Sequence, residues 1–334
     1  MDGVTEEARF FGREGNLLGI TSEPEGGPTR SPAVVILNAG IIHRMGPSRF
    51  AVELARGLSS EGYRVLRFDL SGIGDSPRST RPGTLQEIVH QDISDAVQLV
   101  TAGKARSESD EVSSGTGGES GQALEPKRLG ETALLGLCSG ADHSFQFSLS
   151  DERVTGLALI DPTIHPTPGY YARRIARRLL SPKSWWNVLS GRSLRLRLEA
   201  RPRIRSASEA SRSSEAGDSL NPASYAEHVD PPEQARRKAR ALEAQGTRLL
   251  YVITRGGHGE CNHPDQVAAS LDLEPDSPVL QVEWRPEADH TLTRAADRRW
   301  LLQTMLDWLP GASDHSRDES PGDSPSRLET SSAS

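Results

Sequence analysis

Cysteine is nearly missing from this 334-residue chain, which carries only Cys138 and Cys261. Two thiols cannot staple a small secreted domain, so reduced side chains in a cytoplasmic setting are the simpler expectation. Long apolar runs are missing as well. No stretch approaches the roughly 20 residues a membrane-spanning helix needs, and Met1-Asp2-Gly3-Val4-Thr5-Glu6-Glu7 is acidic where a secretory signal would be apolar. Positive charge is in deficit: the net charge of −7 argues against a nucleic-acid partner for the chain as a whole. Apolar residues are sparse at 35%, with a mean hydropathy of −0.53. Part of the length is therefore expected outside any core. Two polar stretches rich in Ser and acidic residues, 106–127 and 311–334, fit a disordered insertion and a disordered tail.

What remains alternates regularly. Arg9-Phe10-Phe11 and Asn16 to Ile20 flank a Gly-rich turn and read as a hairpin. Four apolar runs read as strands covered on both faces: Ala33 to Leu37, Tyr63 to Phe68, Thr132 to Leu135 and Val154 to Ile160. Helices are expected from Ser48, as a cap, to Ser60 and from about Thr84 to Ala102. After Asp161-Pro162 the alternation stops, and 163–240 reads as a helical insertion crowded with arginine. Thr247 to Thr254 and Val279 to Trp284 resume the strands, and a last helix runs through Trp300, Leu301, Met305 and Leu309. Strands alternating with helices at this spacing predict an α/β fold with a mostly parallel sheet. No internal repeat is visible.

Gly136-Leu137-Cys138-Ser139-Gly140 follows one of these strands and opens a helix. An apolar strand, a sharp turn and a helix in that order make a nucleophile elbow. The residues two before and two after the central one must be small, because strand and helix nearly touch. Gly136 and Gly140 satisfy that only with Cys138 at the centre; centring on Ser139 would put Leu137 in the crowded place. A thiol beside an imidazole at a helix N-terminus is available as thiolate at neutral pH.

With the hairpin, the elbow, the loop Asp69-Leu70-Ser71-Gly72-Ile73-Gly74-Asp75-Ser76 and Ala288-Asp289-His290 after the last strand, the chain resembles the α/β-hydrolase superfamily, its serine-aminopeptidase-like branch in particular. Asn38 to Pro47 is also similar to a group of bacterial hydrolases, some of them associated with exosortase systems. The resemblance covers about Phe10 to Leu309 and implies one α/β-hydrolase domain over 8–310, with helices flanking the sheet and a helical cap at 163–240. It implies His290 as the base, Ser139 N–H as one oxyanion donor, and Ala39 or Gly40 as the other. His43, His143, His165 and His258 lack the position of His290. The orienting acid departs from the family's pattern, since Gly256-Gly257 stands where a Gly-Asp pair is usual. Glu260 is the preferred replacement, with Asp265 and Asp161 as alternatives.

The implied chemistry is attack by Cys138 on an ester, thioester or lactone carbonyl, through an acyl-enzyme that water or another acceptor releases. A catalytically silent binding or regulatory protein and an acyltransferase are the competing readings. The expected partner is a small acyl substrate; the arginine-rich cap also suits an anionic or carrier-bound one, or a lipid surface. His258, Cys261 and His263 lie close together, but no partner cluster supports a metal site. Gly72 and Gly74 do not match a phosphate-binding loop. No cofactor is expected, and the oligomeric state is not legible.

Overall fold

The structure, a computed structural model, describes residues 3–109, 130–180, 229–255 and 261–310. The expected 311–334 tail, most of the 106–127 insertion and the middle of the cap lie outside the described residues. So do Gly256, Gly257, His258 and Glu260.

Eight strands form one sheet in the order β1-β2-β4-β3-β5-β6-β7-β8. They are β1 (Val4–Phe11), β2 (Leu17–Pro24), β3 (Ala33–Ile36), β4 (Val65–Phe68), β5 (Thr132–Leu137), β6 (Val154–Ile160), β7 (Arg248–Thr254) and β8 (Leu280–Arg285). Strand β2 runs antiparallel to both β1 and β4, and every other pairing is parallel. The continuous apolar runs follow from helices on both faces of this sheet. Along β5, Leu134 joins the core on one face while Ala133, Leu135 and Leu137 join the core on the other.

Helices α1 (Phe50–Ser60) and α7 (Ala295–Trp308) cover one face. Gly57 lets them meet: a Cβ there would lie 2.4 Å from Leu302 Cδ2. The opposite face is covered by α2 (Leu85–Ser109), α3 (Ser139–Phe147), α5 (Pro232–Ala244) and the short α6 (Gln266–Leu271). Among the described residues one more helix, α4 (Pro168–Leu179), sits beyond the C-terminal end of β6.

Three expectations need correction. Ser48 does not cap α1: it lies in a 3₁₀ turn, Pro47–Arg49, with φ 51°, and the helix starts at Phe50 without a side-chain cap. Helix α2 extends to Ser109, into the stretch assigned to the disordered insertion. Its start is fixed by a capping box. Thr84 N–H donates to Glu87 Oε2 at 2.7 Å, and Glu87 N–H donates to Thr84 Oγ1 at 3.3 Å. Finally, α5 buries Ala235, Ala239 and Leu242 against the sheet. The last helix of the expected cap is therefore a helix of the body.

Candidate active site

At the C-terminal end of β5 the chain turns through Cys138, at φ 58° and ψ −125°, into α3. A non-glycine residue there is strained, and the surroundings leave it no alternative. A Cβ on Gly136 would lie 2.1 Å from the Gly140 carbonyl carbon, and one on Gly140 would lie 2.4 Å from the Asn38 carbonyl oxygen. Strand, helix and the end of β3 thus meet backbone to backbone, as the elbow register on Cys138 requires. Cys138 N–H donates to Ile160 O at 2.9 Å, tying the turn to β6.

His290, in the loop between β8 and α7, is hydrogen-bonded to Cys138. Its Nδ1 lies 2.8 Å from Asp161 Oδ2. With Nδ1 on the carboxylate, Nε2 is the ring nitrogen left for the sulfur. The Asp161 hydrogen bond, followed by the one to Cys138, outweighs burial and pushes the imidazole up to about 10. His290 is therefore an imidazolium at neutral pH.

Asp161 is fully buried at the end of β6, the strand beside the elbow strand, and has φ 46°. Thr254, at the end of β7, donates its N–H to Oδ1 at 2.7 Å and its hydroxyl to Oδ2 at 2.5 Å. The acid facing His290 is thus Asp161. The preferred Glu260 lies outside the described residues, and Asp265 is exposed, 3.3 Å from His263 Nδ1. Asp161-Pro162 was legible as the end of a strand. Its neighbour Thr254 occupies the end of β7, close to the loop expected to supply the acid.

The candidate oxyanion turn follows β3. Ala39 is buried, and its carbonyl accepts from Ile42 N–H at 3.1 Å. Gly40, at φ 56°, donates its N–H to Ser139 Oγ at 2.7 Å. This contact joins the two residues expected to supply oxyanion donors, and it engages one of those donors in the resting structure.

A buried network that sequence reasoning missed holds this turn. Asn38 Nδ2 donates to Ile42 O at 2.9 Å and to Asp69 Oδ1 at 3.2 Å, while Asn38 Oδ1 accepts from Leu70 N–H at 2.8 Å. The fully buried Asp69 also accepts from Arg44 N–H at 2.6 Å and from Asp75 N–H at 3.1 Å, and it pairs with the Arg44 guanidinium. Gly74 must be bare, because a Cβ there would lie 2.3 Å from Asp69 Oδ2. The Asp69 to Ser76 loop therefore buttresses the oxyanion turn.

Three of the other candidate histidines fall among the described residues. His43 is exposed, His143 is buried in α3, and His165 Nε2 lies 2.9 Å from Asp230 O. Burial pushes the Cys261 thiol up to about 11, and its Sγ contacts His263 O. Among the described residues no group of three His, Cys, Asp or Glu side chains is placed to hold a metal.

No protein-family model matches the chain, and no curated protein matches it in sequence. Solved structures do match. One is the α/β hydrolase GrgF from Penicillium sp. sh18, at 15% identity and a TM-score of 0.50, covering 91% of this chain and 97% of that one. Another is a hypothetical protein from Pseudomonas aeruginosa, at 15% identity and a TM-score of 0.51, covering 92% and 95%. At this identity the likeness establishes the fold.

Proposed function

We propose that this chain, built on the α/β-hydrolase fold, hydrolyses activated acyl compounds with Cys138 as nucleophile, His290 as acid and base, and Asp161 as the orienting carboxylate. The observation that carries the reading is the unbroken line Cys138–His290–Asp161 on a strained elbow. Residues from three strand ends converge there in the order nucleophile, acid, histidine.

Each step follows from the pairing. The imidazolium favours the thiolate of Cys138, which attacks the carbonyl carbon of an ester, thioester or lactone. The negative charge that develops on the carbonyl oxygen is met by Ser139 N–H and by Gly40 N–H, once the Ser139 hydroxyl rotates off the latter. Collapse of the adduct expels the alkoxide or thiolate, which takes the proton from His290 Nε2. Acylation removes the sulfur's negative charge and with it one of the causes that raise the imidazole. His290 thus gives up its proton more readily and stands neutral when it must deprotonate the incoming water. Water attack releases the acid and restores the thiolate–imidazolium pair.

The test is to mix the protein with a short-chain acyl thioester and quench within a turnover. The expected result is a mass increase of one acyl group, located on Cys138 by peptide mapping. An adduct on another residue, or none alongside measurable hydrolysis, would remove the cysteine from the mechanism.

One observation favours a catalytically silent binding protein instead: the Gly40 N–H is already engaged by Ser139 Oγ. A protein that turns over no acyl thioester with either serine or alanine at position 139 supports the silent reading; in an active one, Ser139→Ala shows what the contact does. If the hydroxyl merely occupies the donor, kcat of Ser139→Ala should stay within about threefold of the parent or rise, since one hydrogen bond exchanged for another is worth only roughly 1 kcal/mol. A fall beyond tenfold would make the hydroxyl itself a working donor.

A further inference from the structure

Helix α4 is mounted with its apolar side outward. Its attachments to the body run through Tyr170, which is buried, and Arg173. Arg173 Nε donates to Asn262 Oδ1 at 2.7 Å, and Asn262 Nδ2 donates to Tyr170 O at 3.2 Å. At 100° per residue, Ala172, Ile175 and Ala176 fall on the side opposite Tyr170, while Tyr171, about a quarter-turn round, sets its ring edge-on against that of Tyr170 at 5.3 Å. Tyr171 is 52% exposed and Ile175 58%, and Leu180, just past the helix, is 83% exposed. Arg174 and Arg177, also exposed, lie on the arginine side. An amphipathic helix of a water-soluble body normally presents the reverse arrangement.

Two further features say what fits this surface. Residues 162–180 contain four arginines and no Asp or Glu, within a chain of net charge −7. The loop after β3 also exposes Ile41, at 57%, and Ile42. That loop and α4 both leave the C-terminal ends of parallel strands, so the apolar side chains belong to the edge of the sheet that carries Cys138. They come from segments far apart in sequence and stand on separate elements. Scattered apolar side chains beside an acid-free cationic helix suit a flat fluid surface better than a folded acidic protein.

We propose that α4 docks this edge of the molecule on an anionic lipid surface, with Tyr171 and Ile175 entering the headgroup region and the arginines meeting lipid phosphates. The inference is independent of the acyl chemistry and is tested without any activity measurement.

The full chain is sedimented with vesicles of phosphatidylcholine alone and with vesicles containing about 30% phosphatidylglycerol. The expected result is binding at least roughly tenfold tighter to the anionic vesicles, lost at about 0.5 M salt. Arg174→Glu with Arg177→Glu should weaken it at least about tenfold. Ile175→Ser should weaken it severalfold with Tm unchanged. Failure to bind anionic vesicles overturns the proposal, as does retention by RNA or an acidic protein only. A lowered Tm in Ile175→Ser also overturns it, because another part of the chain would then cover the stripe.

Discussion

Cys138→Ala should lower kcat toward a short-chain acyl thioester at least about 10³-fold, the scale lost when a covalent nucleophile is removed. The loss belongs to chemistry and not to folding. Alanine tolerates φ 58° no better than cysteine does, and it leaves the Gly136–Gly140–Asn38 contacts untouched. Tm should therefore move little. The informative companion is Cys138→Ser. It keeps the atom count, but a hydroxyl does not ionise beside an imidazolium, so the serine form should stay well below the parent even with Asp161 and His290 in place. Stopped-flow acylation with calorimetric Tm measures both. If Cys138→Ala retains a tenth or more of the parent rate, the elbow is not the reactive centre.

Asp161→Asn should be the second large effect, a fall in kcat of about 10² to 10⁴-fold, the upper figure being that of a serine triad whose aspartate becomes asparagine. The hydrogen bonds say why. Both carboxylate oxygens accept, Oδ1 from Thr254 N–H and Oδ2 from the Thr254 hydroxyl and His290 Nδ1. An asparagine must turn its carbonyl to the Thr254 N–H, which leaves its NH₂ facing His290. The ring then carries its proton on Nε2 and cannot accept one from the thiol. The pH profile moves too. Asp161 is the largest cause holding His290 near 10, and an imidazolium persists only below its own pKa. The parent should keep its thiolate–imidazolium activity as pH rises toward 10, whereas Asp161→Asn should lose it nearer the ordinary histidine value of about 6.5. A kcat/KM profile across pH 5–11 with the same basic limb in both proteins would show that Asp161 does not set the imidazole.

The strands, their parallel order and the elbow were legible because each leaves a local mark. Thr132 to Leu137 is an apolar run, and Gly136 and Gly140 bracket the one residue that can occupy the turn. His290 was legible by its place after the last strand. The acid was not. Glu260 and Asp265 are close to the expected loop in sequence, whereas Asp161 meets His290 across 129 residues, and only the β6–β7 pairing makes Thr254 its partner. The Ser139–Gly40 hydrogen bond and the Asn38–Asp69 network are equally nonlocal. The misread helix boundaries have a different cause. Ser48 has the chemistry of a cap, but Pro47 and two positive-φ residues turn the chain there, and tertiary packing set the start at Phe50.

The contacts around Gly136, Gly140 and the Asn38 carbonyl carry one more consequence. The close approaches that shape this turn are between main-chain atoms, so they do not depend on whether sulfur or oxygen stands at position 138. A lineage carrying this hinge could exchange sulfur for oxygen at that position in a single codon step without rebuilding anything around it. The reverse order is closed: any change at either glycine would destroy the turn before a new nucleophile could be tried. In such a scaffold the reacting atom is the freely variable part, and the flanking glycines are what inheritance must preserve.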